Sequence, residues 1–367
     1  RSDGIRCFHG SVAADVCPWL KWVFIVQAME VYPVMWLQRS HQRSDLAPTM
    51  SVDPITFAIQ NQFYLGAYTA CRELALQHSM GGLNNPESRV RLVYAARAAV
   101  AAGHYEAARS LLDGPLDAYV DAKSVELLSR FLETVRLGQP GLGDATSLLS
   151  ELLALLDQAS TDDGTAQTVR YNAGLALFES GDTQQALEVL GVTGAGGSQE
   201  IECIALGVHV LLAINRVDLA EKEYVAARQW GDDSLLVQLI EAWIGLMRGG
   251  RASQQAYYVY DELSQNTSVA NTPSVISSLV GKSAALAALD QQREGIETLQ
   301  TAEALDNASA SVIANQAVFT ALNPSATTDD LDSIESRLRA AAPDHPLVAD
   351  WDAKRLELES AVAAFAA

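Results

Sequence analysis

Small side chains recur at a nearly constant interval along the middle of the chain, and this spacing limits the possible folds more than any other feature. Ala186, Ala220 and Ala256 lie in the second of two helix-like apolar runs, at intervals of 34 and 36 residues. Turn residues such as Gly181 and Gly249 separate the two runs. Two antiparallel helices approach to about 8–10 Å, and small side chains at the crossing allow this. The period therefore predicts stacked helical hairpins that meet through these alanines.

The spacing within residues 169–194 resembles the tetratricopeptide repeat, a hairpin of two helices with a period of 34 residues. Weaker units place small residues at the same inner position, namely Cys71, Ala107 and Gly295. One irregular hairpin, with helices near 117–137 and 145–159, fills the gap between Ala107 and Ala186. The resemblance implies an all-α fold, a tetratricopeptide-like α-solenoid of antiparallel helix hairpins in a right-handed superhelix. We place this helical repeat domain at residues 50–367, with a C-terminal helix at its end.

Residues 1–49 differ from the repeat region. They contain three of the six tryptophans, and their longest uninterrupted apolar piece, residues 22–26, is far too short to cross a bilayer. We expect this N-terminal extension to be poorly packed, either disordered or an artefact of the gene model, with Met50 as the natural start.

The formal net charge of the chain is −20. An acidic surface repels the phosphates of nucleic acids and the heads of anionic lipids. We therefore expect no nucleic-acid partner and no direct binding to membranes. The charge suits either a partner with a basic patch or a surface that simply keeps the protein dispersed.

The sequence contains no motif that indicates catalysis or metal binding. The six histidines and four cysteines show no metal-ligand or redox spacing, and residues 162–164 begin like a calcium loop but lack the later ligands. We interpret His209 as a core or hairpin-contact residue and His104 as an exposed turn residue. We interpret Cys71 and Cys203 as small apolar residues in helices. These observations predict a protein that is not an enzyme and has no cofactor.

The concave face of a solenoid is a recognition surface. Candidates for lining it, each of which could equally pack one hairpin on the next, are Tyr171, Leu175, His209 and Trp243. A chaperone-type adaptor that grips an acidic C-terminus is a second interpretation. It requires basic and amide side chains that converge on the groove, and only Arg170 and Asn172 lie near it in sequence.

Three blocks of the sequence, and its last helix, resemble the epsilon subunit of coatomer, the COPI vesicle coat. The blocks are FYLGAY (63–68), LAEKEY (219–224) and LVQLIEAWIGLMRGG with QQAYYVYDEL (236–263), and the last helix lies in 345–366. The resemblance implies a non-catalytic structural subunit that binds and stabilises the C-terminal region of the alpha subunit. It implies Golgi-to-ER retrograde and intra-Golgi transport, a cytoplasmic location, and a peripheral position on Golgi and COPI vesicle membranes through the coat. The alternative is a tetratricopeptide-repeat adaptor or co-chaperone that binds an extended segment of another protein.

The resemblance also points to family-signature residues, which either shape the groove or serve the packing. They are Gln238, Leu239, Ala242, Trp243, Gly249, Gly250, Gln255, Ala256, Tyr257 and Tyr258.

Overall fold

The computed structural model describes residues 53–137, 143–159, 165–192, 199–231, 234–265, 275–343 and 345–366. These residues form seventeen α-helices and no strand, so the predicted all-α solenoid fold is confirmed. They divide into an N-terminal unit that ends at residue 244 and a C-terminal unit that begins at residue 245. The expectations for residues 1–49 and 162–164 concern residues outside this description and stay predictions.

The N-terminal unit contains five helical hairpins, in which we call the first helix A and the second helix B. The A helices contact one another in sequence, and each of the first four B helices packs on the next A helix. The helices are α1 (Pro54–Tyr64), α2 (Tyr68–Gln77), α3 (Pro86–Ala101), α4 (Tyr105–Leu111), α5 (Val120–Leu137), α6 (Ala145–Ala154), α7 (Thr165–Glu179), α8 (Thr183–Leu190), α9 (Ile201–Ala213), α10 (Val217–Gly231) and the part of α11 (Leu235–Arg248) up to residue 244.

The C-terminal unit contains the end of α11 and six further helices. From the first of these onward, each helix contacts the next one along the chain. They are α12 (Arg251–Ser264), α13 (Ile276–Ala288), α14 (Gln292–Leu305), α15 (Ala310–Leu322), α16 (Thr328–Ala341) and α17 (Pro346–Ala366). The irregular hairpin expected between the better repeats is α5 with α6.

Local sequence explains where the helices start and turn. Asp53 caps α1 by accepting a hydrogen bond from the Thr56 amide at 3.1 Å, and Pro54 at the first helical position supplies a suitable φ. At the predicted turns the backbone enters the left-handed region, with φ of 86° at Gly181 and 78° at Gly249. Glycine adopts this conformation without a steric penalty, so the positions of these two glycines determine where the chain turns.

The small inner residues lie at helix crossings, as predicted. Five of the six predicted inner residues are buried. They are Cys71, Ala186, Ala220 and Ala256, each fully buried, and Gly295. The prediction was wrong for Ala107, which is half-buried, since the neighbouring Ala108 is the residue at 0% exposure. Helix α4 begins at Tyr105, and this start turns Ala108 toward the core.

Helix α7 shows why side chains at the crossings are small. A Cβ atom at Gly174 would lie 2.6 Å from the Leu190 side chain at the end of α8. Any larger residue at this position would push the two helices of the hairpin apart.

Candidate recognition surface

The row of A helices in the N-terminal unit is strongly curved. The hydroxyl group of Tyr64, at the end of α1, donates a hydrogen bond to Glu202, in the first turn of α9. These are the first and fifth A helices, and four steps of 8–10 Å in a flat row would separate their axes by about 32–40 Å. Two side chains cannot bridge such a distance. The row therefore bends until its two ends meet.

A buried ion pair lies where the ends meet. Arg97 of α3 donates from Nη2 to Glu202 Oε2 at 2.7 Å, and the two residues are 4% and 2% exposed. The Tyr94 hydroxyl donates to Glu202 Oε1 at 2.7 Å. The carboxylate of Glu202 thus has three donors, including Tyr64, and is well satisfied despite its burial.

Three aromatic rings surround the Arg97 guanidinium group. Its central carbon lies 4.7 Å from the ring centroid of Phe63, 5.0 Å from that of Tyr94 and 4.6 Å from that of Tyr171. Such distances are within the range of cation–π attraction, which strengthens when the cation is removed from water. We call Phe63, Tyr64, Tyr94, Arg97, Tyr171 and Glu202 the Arg97 cluster.

The ion pair keeps both partners charged. Burial acts to raise the pKa of Glu202, but the charge and hydrogen bonds of Arg97, together with both tyrosines, outweigh it and lower that pKa below its usual value. Burial would lower the pKa of Arg97, but Glu202 raises it. Burial, and then the Glu202 charge, raises the pKa values of Tyr64 and Tyr94. The tyrosines therefore stay protonated and act as donors.

The Arg97 cluster changes the interpretation of the predicted groove residues. Tyr171 is 8% exposed and covers Arg97, and Trp243 is 2% exposed, so both are packing residues. Leu175 and His209 are half-buried. The His209 ring stands edge-on to Phe178 at 5.6 Å, so the prediction of a hairpin-contact role is confirmed. Burial lowers the pKa of His209 to about 4.

The residues required by the chaperone-type interpretation have internal partners. Arg170 forms an ion pair with Glu200 at 2.6 Å. Asn172 is fully buried and donates to the Ser124 hydroxyl at 2.9 Å. Asn172 is thus withheld from a ligand and the charge of Arg170 is already paired, which is unfavourable for a carboxylate clamp.

The family-signature residues divide by burial. In α11, Leu239 and Ala242 are fully buried beside Trp243, whereas Gln238 is exposed. Buried members of the set serve the packing of their own unit. Gln238 is the member in this helix whose side chain is available to a partner.

The remaining signature residues belong to the C-terminal unit. Gly249 and Gly250, with φ of 78° and 62°, form the turn into α12, and Ala256 is fully buried. Gln255 and Tyr258 are exposed, the latter at 56%. The ring of Tyr257, half-buried, lies edge-on to that of Tyr258 at 5.6 Å. The exposed signature residues on α12 are therefore an amide and a tyrosine.

The chemistry of the described residues is that of a packed helical protein. Burial raises the pKa of the Cys71 thiol to about 12 and raises that of Cys203 further, which makes both thiols poor nucleophiles. Within the described ranges, no group of three or more His, Cys, Asp or Glu side chains could hold a metal ion. None of the helices described is both long enough and apolar enough to cross a membrane. His104 is exposed, as predicted.

Sequence reasoning missed the ion pair of the Arg97 cluster. A signal for its members exists, because Arg97 and Glu202 each interrupt an apolar run, in LVYAARAAV and IECIALGV. Charged residues are rarely buried unless they are paired, so each predicts either exposure or a hidden partner. Their separation of 105 residues gives no indication that they pair with each other.

Stacked hairpins, inner small residues and a curved row of A helices define a helical-repeat protein of the tetratricopeptide type. A family model for the coatomer epsilon subunit matches residues 53–366. The chain therefore belongs to the coatomer epsilon subunit family.

Curated relatives agree with this assignment. Coatomer subunit epsilon-2 of Arabidopsis thaliana is 30% identical over 57% of this chain and 65% of its own length. Coatomer subunit epsilon-2 of Oryza sativa subsp. japonica is 29% identical over 80% of this chain and 91% of its own length. Coatomer subunit epsilon of Caenorhabditis elegans is 24% identical over 83% of this chain and 96% of its own length. The match thus spans just under two thirds of the Arabidopsis protein and most of the other two.

Proposed function

We propose that this protein is a non-catalytic structural subunit of the COPI coat that binds and stabilises the C-terminal region of the alpha subunit. The family match over residues 53–366 carries this proposal. On this proposal the protein acts in Golgi-to-ER retrograde and intra-Golgi transport. It is cytoplasmic and reaches Golgi and vesicle membranes through the coat.

The curvature of the N-terminal unit supports a binding role. The Arg97 cluster joins α1, α3, α7 and α9 through charged hydrogen bonds and ring contacts, so the curved frame exists before a partner arrives. A frame that is already ordered loses little conformational entropy on binding. Binding energy can then be used to order the partner segment.

Exposed signature residues are the proposed contacts with the alpha subunit. Tyr258 is the strongest candidate, because tyrosine is enriched among the residues that dominate interface energetics and its ring is 56% exposed here. Gln238 and Gln255 are exposed amides that can donate to and accept from a partner backbone. Buried signature residues such as Ala256 support the fold instead.

The co-chaperone alternative is less well supported. Its recognition of an acidic C-terminus needs free cationic and amide groups, and Arg170 and Asn172 are engaged with Glu200 and Ser124. The net charge of −20 also opposes an acidic ligand.

A direct test is co-expression of the full chain with the C-terminal region of the alpha subunit from the same organism, followed by calorimetric titration of the purified partners. We expect a stable equimolar complex. Tyr258→Ala should weaken it at least fivefold. Val225→Ala, which alters a residue that is 57% exposed and outside the signature, is the matched control and should bind like wild type. Absence of binding by the wild-type chain would refute the proposal, and capture of an acidic chaperone tail instead would favour the co-chaperone alternative.

A further inference from the structure

The C-terminal helix α17 is packed at its start and uncovered along the rest of its length. Leu347 and Val348 are 4% and 3% exposed. Further along, two ion pairs hold the helix to α16, from Arg339 to Asp352 at 3.0 Å and from Arg355 to Glu335 at 2.6 Å. From residue 352 through residue 365, every residue is exposed.

Most of the large apolar residues of α17 follow a heptad pattern, whereas Leu356, which is 64% exposed, lies off it. Residues spaced alternately three and four positions apart share one face of a helix. On α17 such a series is Val348, Trp351, Arg355, Leu358, Val362 and Phe365. We call this face the α17 seam. Five of its six members are apolar, as in a helix that packs against another helix.

The seam runs from the core of the protein into solvent. Val348 is buried and Trp351 half-buried, whereas Leu358, Val362 and Phe365 are 64%, 60% and 95% exposed. The uncovered part is therefore a continuation of an intramolecular helix-packing interface.

Charge indicates what kind of cover fits. Residues 356–366 contain two charged side chains, Glu357 and Glu359, and no basic one. Glu357 forms an ion pair with Lys354 at 2.9 Å. Glu359 flanks the seam, and residues 356–366 contain no basic side chain that could pair with it. A complementary helix would have apolar residues on one face and lysine or arginine beside them.

A second copy of the chain fits this seam poorly. It would bring the same acidic flank and a net charge of −20 to the interface. The seam from residue 351 to residue 365 is about 22 Å long. A helix pair of that length falls short of the roughly 800 Å² per partner that a stable interface buries, so the seam suits a partner that also binds the chain elsewhere.

We propose that the α17 seam docks an amphipathic, basic-flanked α-helix of the alpha subunit, which covers α17 as the B helices cover the A helices within the chain. This inference rests on the proposed function and adds a second contact to it. The docked helix lies antiparallel or parallel along Leu358, Val362 and Phe365, with its cationic residues beside Glu359.

The test compares two variants that add the same charge on opposite faces of α17. Leu358→Glu with Val362→Glu places charge on the seam, and Ala353→Glu with Ser360→Glu places it on the far face. Glutamate favours helices, so both variants keep α17 helical, and circular dichroism verifies this. Affinity for the C-terminal region of the alpha subunit is measured by calorimetry, and amide hydrogen exchange of residues 356–366 is measured alone and in the complex.

We expect the seam variant to lose at least tenfold in affinity and the far-face variant less than twofold. Exchange at residues 356–366 should be fast in the free chain and slow in the wild-type complex. If the seam variant binds as tightly as the far-face variant, or if these amides gain no protection, the inference is wrong while the proposed function stands. If wild type does not bind the alpha subunit at all, both are wrong. A wild-type dimer in sedimentation that the seam variant abolishes would assign the seam to a second copy and also overturn the inference.

Discussion

Replacing Arg97 with methionine removes the positive charge from the Arg97 cluster and leaves a side chain that still fills much of the space. Glu202 then remains 2% exposed with two tyrosine donors and no cation. Removing one partner of a buried ion pair destabilises a protein by about 3–5 kcal/mol, because an uncompensated charge stays out of water. This is a large part of the 5–15 kcal/mol that typically separates folded from unfolded domains.

The double variant separates the charge effect from loss of packing. Arg97→Met with Glu202→Met removes both charges, and such replacements are often neutral or stabilising. We therefore expect the double variant to lose less than about 2 kcal/mol, far below the sum of the two single variants. Urea unfolding followed by circular dichroism gives these free energies. Arg216→Met, which breaks an ion pair whose side chains are 50% and 59% exposed, is the control and should leave the midpoint unchanged.

A free energy of unfolding for Arg97→Met within about 1 kcal/mol of wild type, or additive effects of the two single changes, would contradict this prediction. Either result would mean that water reaches the ion pair and that the row of A helices does not close as described.

Three further predictions concern the crossings and the core. Ala186→Leu overpacks a fully buried crossing and should cost about 1–3 kcal/mol in urea unfolding; a wild-type midpoint would disprove the repeat register. Gly281→Ala should cost a similar amount, because its Cβ would lie 2.4 Å from the Tyr260 ring, and normal stability would exclude this close approach. The pKa of His209 is lowered to about 4 in the folded protein, so below pH 6.5 the unfolded chain binds more protons than the folded one. The free energy of unfolding should therefore fall by up to about 2 kcal/mol by pH 5. His209→Gln should therefore show a smaller fall in melting temperature between pH 7.5 and pH 5, and an equal fall would contradict the assignment.

The features that sequence predicted are those with a local physical cause. Gly181 marks a turn because few other residues adopt its φ of 86°, and Ala186 lies at a crossing because larger side chains do not fit. The choice between Ala107 and Ala108 was wrong because the two adjacent alanines satisfy the same spacing. Only the start of α4 at Tyr105 decides between them.

The Arg97 cluster could not be predicted in the same way. Its ion pair joins residues 105 positions apart, and the pairing depends on how far five successive hairpins rotate. That rotation is a small angle per repeat, set by many side chains, and it accumulates along the row. A single sequence reveals that Arg97 and Glu202 are unusual, but not that they meet. The family signature likewise named Trp243 and Tyr258 together, and only burial separates the packing residue from the exposed one.

The central claim is that this stack of helical hairpins serves to hold another coat subunit. The most direct measurement is quantitative mass spectrometry of proteins recovered with the full chain, tagged at its own locus and purified from its own cells. We expect the alpha subunit of coatomer in an equimolar amount, together with the other coat subunits. Recovery of the tagged chain without the alpha subunit, under conditions in which the rest of the coat remains assembled, would contradict it.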